Sequence, residues 1–133
     1  MAETRTARIF RHPAGCVIVR VLGIEQTLED AQENVAVALE LSDGPRSLPL
    51  LVDITGTAPL VSEVRHYYVG RALANNFTAL GLLVEPSPMG RMLGDVFFRM
   101  IQSANDGRTD VGPTKVFVDE PTAIEWLTSG APR

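Results

Sequence analysis

The sequence predicts one α/β domain built on a mixed, mainly parallel β-sheet, with an antiparallel hairpin at its N-terminal side. Three observations carry this. Strand-like and helix-like segments alternate along nearly the whole chain, in the order ββαβαβαβα, and such alternation selects crossover connections and parallel strands. Residues 48–54 and 78–84 are almost wholly apolar, as strands covered on both faces are. The stretches between the strands repeat apolar residues at helical spacing and begin at residues that start helices.

Each element has its own signal. Residues 5–11 alternate loosely, meet the turn His12-Pro13-Ala14-Gly15, and continue into the β-branched, apolar run 16–22, which together read as a hairpin. Thr27 can cap a helix over 28–42, with Leu28, Ala31, Val35, Ala38 and Leu39 on one face, and Asp43-Gly44-Pro45 stops it. The strand 48–54 follows, then a helix over about 60–74, then the strand 78–84. Glu85-Pro86-Ser87-Pro88 is a rigid entry to a third helix, about 88–103, and a polar loop 105–112 leads to the last strand, 114–118. Asp119 can cap a final helix with Pro121 in its first turn. Ala123, Ile124 and Leu127 share its packing face, and Trp126 sits at the edge of that face.

A chain of 133 residues suits a single domain, 1–133, with residues 1–4 and 129–133 expected as frayed tails. Hydrophobic residues make up 45% and charged residues 21%, the balance of an ordinary globular protein. The net charge is −4 and the 12 Lys and Arg are scattered, which speaks against a nucleic-acid partner. The only cysteine is Cys16, so no internal disulfide forms and a reducing, cytoplasmic setting is expected. The start of the chain lacks a signal-peptide apolar stretch, and no apolar run reaches the ~20 residues of a membrane span.

No complete chemical site is legible, and neither cofactor nor metal is expected. His12 and His66 lie on different elements without ligand-spaced partners. Cys16 opens an apolar strand with nothing nearby to activate it. Phosphate-binding glycine loops and the nucleophile elbow are missing. Asp53 ends a central strand, the edge where open sheets place ligands; the stronger expectation is that the turn Thr55-Gly56-Thr57 occupies it with hydrogen bonds. In the second helix, Arg71 shares a stripe with Leu60, Val64 and Tyr67, so it either contacts an anion or, as Gly70 bends the helix, reaches solvent.

The third helix has the longest regular stripe. Met89, Met92, Leu93, Val96, Phe97, Met100 and Ile101 follow helical spacing without a break, and the stripe is expected to be core. That orientation sends Phe98 to the polar side, close to Arg91 and Gly94 on the helix surface. Aromatic residues and Arg favour interfaces, so Phe98, Arg91, Gly94 and Asp95 are the candidate interface of a homodimer.

The order of elements resembles STAS and SpoIIAA-like domains, the fold of anti-sigma-factor antagonists. Local strings are similar to SpoIIAA-like bacterial proteins of unassigned function: Leu51-Val52-Asp53-Ile54; Ser62-Glu63-Val64-Arg65-x-x-Tyr68; Ser87-Pro88-Met89-Gly90-Arg91-x-x-Gly94-x-x-Phe97; and Pro113-Thr114-Lys115-Val116-Phe117-x-Asp119-Glu120-x-x-Ala123-x-x-Trp126-Leu127. The resemblance spans about 16 to 128 and implies a non-enzymatic regulatory or scaffolding domain that meets itself or a regulatory protein. It also implies a phosphorylation candidate. Ser62 matches the serine that begins the helix after the Asp-bearing strand in phosphorylated STAS regulators, with Arg65 as an anion contact, although Val61-Ser62-Glu63-Val64 replaces their Asp-Ser-Ser-Gly string. The alternative is a carrier of a small apolar or lipid-like ligand, as the CRAL-TRIO lipid-transfer fold is similar in appearance and a Met-rich helix can line a cavity.

Overall fold

The computed structural model describes residues 2–108 and 111–129. Its elements are β1 (Ala2–Glu3), β2 (Ala7–His12), β3 (Cys16–Val21), α1 (Leu28–Leu41), β4 (Leu50–Asp53), α2 (Ser62–Tyr67) running into a π-helical turn (Tyr68–Ala72), β5 (Leu80–Leu83), α3 (Pro88–Ala104), β6 (Thr114–Phe117) and α4 (Glu120–Thr128). The predicted alternation is present, with one correction. Residues 1–4 were expected to fray, yet β1 pairs antiparallel with β2, Ala2 opposite Ile9 and Glu3 opposite Arg8. Thr4 closes the turn between them, its hydroxyl accepting from Ala7 N at 3.1 Å. The expected C-terminal tail from residue 130 onward lies outside the described residues.

The six strands stand in sequence order, β1-β2-β3-β4-β5-β6. The first two pairings are antiparallel and the remaining three parallel. Parallel neighbours joined by crossovers of one hand place every crossover helix on the same face. Accordingly Val17, Val19, Leu50, Val52, Leu80 and Leu82 meet Val35 and Ala38 of α1, Val69 and Ala72 of the π turn and Ile101 of α3. Among the described residues the opposite face has only α4, whose Ala123 and Leu127 pack on Cys16, Ile18, Leu51, Leu83 and Phe117. Trp126 is half-buried at the edge of this layer, its ring 5.5 Å from that of Phe117. No helix among the described residues is long and apolar enough to cross a membrane.

Local chemistry sets the helix ends. Thr27 and Asp30 form a reciprocal capping box at α1. Ser87 caps α3 through Gly90 N, and Asp119 caps α4 through Thr122 N. The helix expected over 60–74 is interrupted instead: six α-helical residues give way to the π turn at Tyr68.

The orientation of α3 is the main correction. Its unbroken stripe was expected to be core, but Met89, Met92, Leu93 and Val96 are 74%, 59%, 40% and 46% exposed. Phe97, Met100 and Ile101 alone reach the inner core. The helix sits down on its glycines: Gly90 and Gly94 are buried. A Cβ on Gly90 would lie 2.3 Å from the Glu85 carbonyl oxygen, and one on Gly94 2.7 Å from Val116 Cγ1. Backbone can approach strands this closely only where side chains are absent, so the two glycines, one turn apart, define the seat. Gly94→Leu is therefore expected to lower stability by about 1–3 kcal/mol through overpacking, more than Met89→Ala does. Urea unfolding of both variants checks this; the reverse ranking would mean that α3 rests on its apolar stripe.

Candidate functional site

The three crossover helices do not close completely over the inner face of the sheet. Between them lies a cavity of about 50 Å³, open on one side, with a floor of Val19, Leu50, Val52 and Leu82 and walls from Val35, Ala38, Leu73, Phe97 and Ile101. Its polar wall comes from Gln26, just before α1, Asn34 of α1, Thr57, after β4, and Tyr68, where the π turn begins. Among the described residues no charged side chain lines it.

The polar wall is one connected network. Asn34 is 2% exposed. Its Nδ2 donates to Thr6 Oγ1 at 2.9 Å and to the Tyr68 hydroxyl oxygen at 3.2 Å. Its Oδ1 accepts from the Thr4 hydroxyl. The Tyr68 hydroxyl donates to Gln26 Oε1 at 2.6 Å. Four segments of the chain are thus tied through one buried amide, which must be satisfied because it is removed from water. Burial pushes the Tyr68 phenol up to about 12, partly offset by the hydrogen bond with Asn34.

On the outer face Arg20 holds a carboxylate on either side. Its Nη1 is 2.9 Å from Asp53 Oδ2 and 2.6 Å from Glu120 Oε1, and Nη2 is 3.0 Å from Glu120 Oε2. The Glu120 pairing is bidentate, the strong form of such a contact. The guanidinium carbon lies 5.4 Å from the centre of the Phe10 ring. The hydrogen bond to Glu120, first, and that to Asp53 hold the Arg20 guanidinium above its ordinary range against the opposing effect of burial. Asp53 Oδ1 accepts from Thr55 N at 3.0 Å and from Thr55 Oγ1 at 2.6 Å, the turn bonds that the sequence led one to expect. The ties from Arg20 to Asp53 and Glu120, 33 and 100 residues away in sequence, were not foreseen.

The remaining sequence candidates are scattered. Ser62 is exposed at the first residue of α2, whose cap is Val61, and it makes no capping hydrogen bond. Arg65 donates to the Leu60 carbonyl at 3.3 Å. Arg71 lies in the π turn, with its side chain outside the described residues. Arg91 and Asp95 are exposed. Phe98 is half-buried rather than projecting, and Gly94 faces Val84 and Val116 rather than a surface. The re-seating of α3 thus removes Gly94 from any exposed interface and leaves the helix's apolar ridge outside in its place. Cys16 is fully buried, and burial pushes its thiol up to about 11. Among the described residues no three of His, Cys, Asp and Glu are grouped to hold a metal ion. The network around Asn34 was missed, although a signal existed: Asn34 falls between Ala31, Val35 and Ala38 on the buried stripe of α1, and a polar residue there demands partners.

A sheet in sequence order, an antiparallel hairpin at one edge and a lone helix on the second face define the SpoIIAA-like class. A solved structure supports that assignment: an uncharacterized protein from the DUF3478 family with a SpoIIAA-like fold, from Shewanella loihica PV-4, is similar to this chain with a TM-score of 0.61 and 17% identity, covering 96% of this chain and 98% of that one. The chain itself belongs to the family described as a domain of unknown function, DUF7793, whose model matches residues 17–130. No curated protein matches its sequence.

A buried thiol and a half-buried phenol are expected to make the fold sensitive to alkali. Tyr68 ionises near 10 in the unfolded chain and about 12 in the folded one; Cys16 moves from 9.0 to about 11. Both folded values are raised, so the stability they contribute is complete below the unfolded values and is lost as pH rises through the folded ones. Stability is expected to fall between about pH 9 and 12. Tyr68→Phe and Cys16→Ala should each flatten part of that slope, whatever their effect at pH 7. Urea midpoints measured across this range check it, and variants with the wild-type slope would rule the assignment out.

Proposed function

We propose that the protein is a non-enzymatic regulatory or scaffolding interaction domain of the cytoplasm, working as a twofold homodimer through α3. The observation that carries this reading is the apolar ridge of Met89, Met92, Leu93 and Val96, left in solvent on a helix whose other side is fixed to the sheet. Contiguous apolar surface on a soluble protein marks a contact site, and Met suits an adaptable one. A second copy is the occupant that the flanking charges favour. Asp95 and Arg99, one turn apart, lie along one flank of the ridge at 100° per residue. In an antiparallel pair of α3 helices the twofold axis sets like flanks against each other, so each Asp95 meets an arginine of the other copy. Phe98 lies about 180° around the helix from Met89 at 100° per residue, so it sits outside this contact.

The state of the other groups supports binding over catalysis. The Cys16 thiol is buried and its proton held. Asp53 is engaged by Arg20 and the Thr55 turn. Sedimentation velocity tests the proposal. The wild type should run as a dimer, and Met92→Glu as a folded monomer by circular dichroism, its dimer dissociation constant raised about thirtyfold or more. Asp95→Arg should weaken the dimer, and adding Arg99→Asp should restore it. A monomeric wild type, or a Met92→Glu protein that stays dimeric, would overturn the reading.

A further inference from the structure

The cavity on the inner face holds two polar groups without protein partners, and they identify what it can accept. Gln26 is 4% exposed. Its Oε1 is taken by the Tyr68 hydroxyl, while its Nε2 donates to nothing among the described residues. Thr57 Oγ1 is buried and likewise unpartnered. Both residues line the cavity. They follow the carboxyl ends of β3 and β4, adjacent strands of the parallel part of the sheet, which is the edge where open α/β sheets hold ligands. Asn34 and Tyr68, on the same wall, are already satisfied by Thr6 and Gln26. On this wall the Thr57 hydroxyl is thus buried and unpartnered, and the Gln26 amide adds a donor that lacks a protein partner among the described residues and is not fully buried.

The geometry points to a binding site for a small, neutral molecule with an apolar body and a single carbonyl group, such as a short-chain ketone or ester. The carbonyl oxygen has two lone pairs, which suit the Gln26 amide and the Thr57 hydroxyl. The body matches a floor and walls of Val, Leu, Ile and Phe. A carboxylate is disfavoured, because it would leave water for a site whose lining, among the described residues, includes no cation. At about 50 Å³, the enclosed part has room for roughly four water-sized groups, and a longer tail leaves by the open side. This site faces the inner helices and does not depend on the α3 ridge or on dimerisation.

The test uses 2-hexanone, n-hexane and hexanoate as probes, followed by the methyl NMR signals of Val35, Val52 and Leu82 in the full chain. Saturable shifts are expected with 2-hexanone, weaker ones with n-hexane and none with hexanoate. Gln26→Leu should weaken 2-hexanone binding about three- to tenfold, the worth of one hydrogen bond, and leave n-hexane binding within about twofold. Ala38→Leu, which fills the cavity, should abolish both; Val52→Ile fills it by one methylene and should weaken both. The proposal is overturned if 2-hexanone produces no saturable shift, if hexanoate binds as tightly, if Gln26→Leu leaves ketone binding unchanged, or if neither filling variant weakens it.

Discussion

The placement of every helix depends on the order of the strands. With β3 to β6 adjacent in sequence order and parallel, three crossovers of one hand must share one face of the sheet. That face is crowded at its flanks and open at its centre. α3 is drawn close to β5 and β6 by Gly90 and Gly94, while α1 lies over the hairpin side, its Val35 and Ala38 on the inner core. The residual space lies between them, over β3, β4 and β5. A helix with larger residues at 90 and 94 would stand further from the sheet.

The opposite face has the reverse problem, one short helix to cover a broad surface. Apolar packing by Ala123 and Leu127 covers its middle. Toward the carboxyl ends of the strands, the layer is finished by Arg20, which joins β3 to β4 through Asp53 and to the first turn of α4 through Glu120. Lys115 reaches over the Phe117 and Trp126 rings at 5.6 and 5.9 Å. Here the charged ends of the basic side chains themselves lie over aromatic faces, which attract a cation. The face is thus closed by polar ties around an apolar centre, and α4 is fastened at its start by charge and along its length by packing.

Much of this was legible in the chain. Apolar runs located β4 and β5, and Thr27 and Asp119 stood where helices begin, because capping is a local matter of a side-chain oxygen and nearby N–H groups. What failed was a relation between distant parts. A stripe at helical spacing says that a helix has an apolar side; it does not say that this side meets the helix's own sheet. For α3 the decisive residues were the glycines, whose lack of side chains lets Val84 and Val116 come close, and nothing local reveals that closeness. The same holds for Asn34, whose partners come from β1–β2, the segment before α1 and the π turn. Arg20 and Glu120 meet only because the sheet brings β3 and α4 together.

The π turn from Tyr68 to Ala72 has one further consequence. A π turn winds an additional residue into the helix, so the phase before it and the phase after it are decoupled. Upstream, Tyr68 is committed to Asn34 and Gln26 across the layer. Downstream, Leu73 and Phe77 must point into the core on the way to β5. In an unbroken α-helix these two demands would share one fixed angular offset. The additional residue acts as a clutch between them, letting the polar wall and the hydrophobic floor each keep its own alignment.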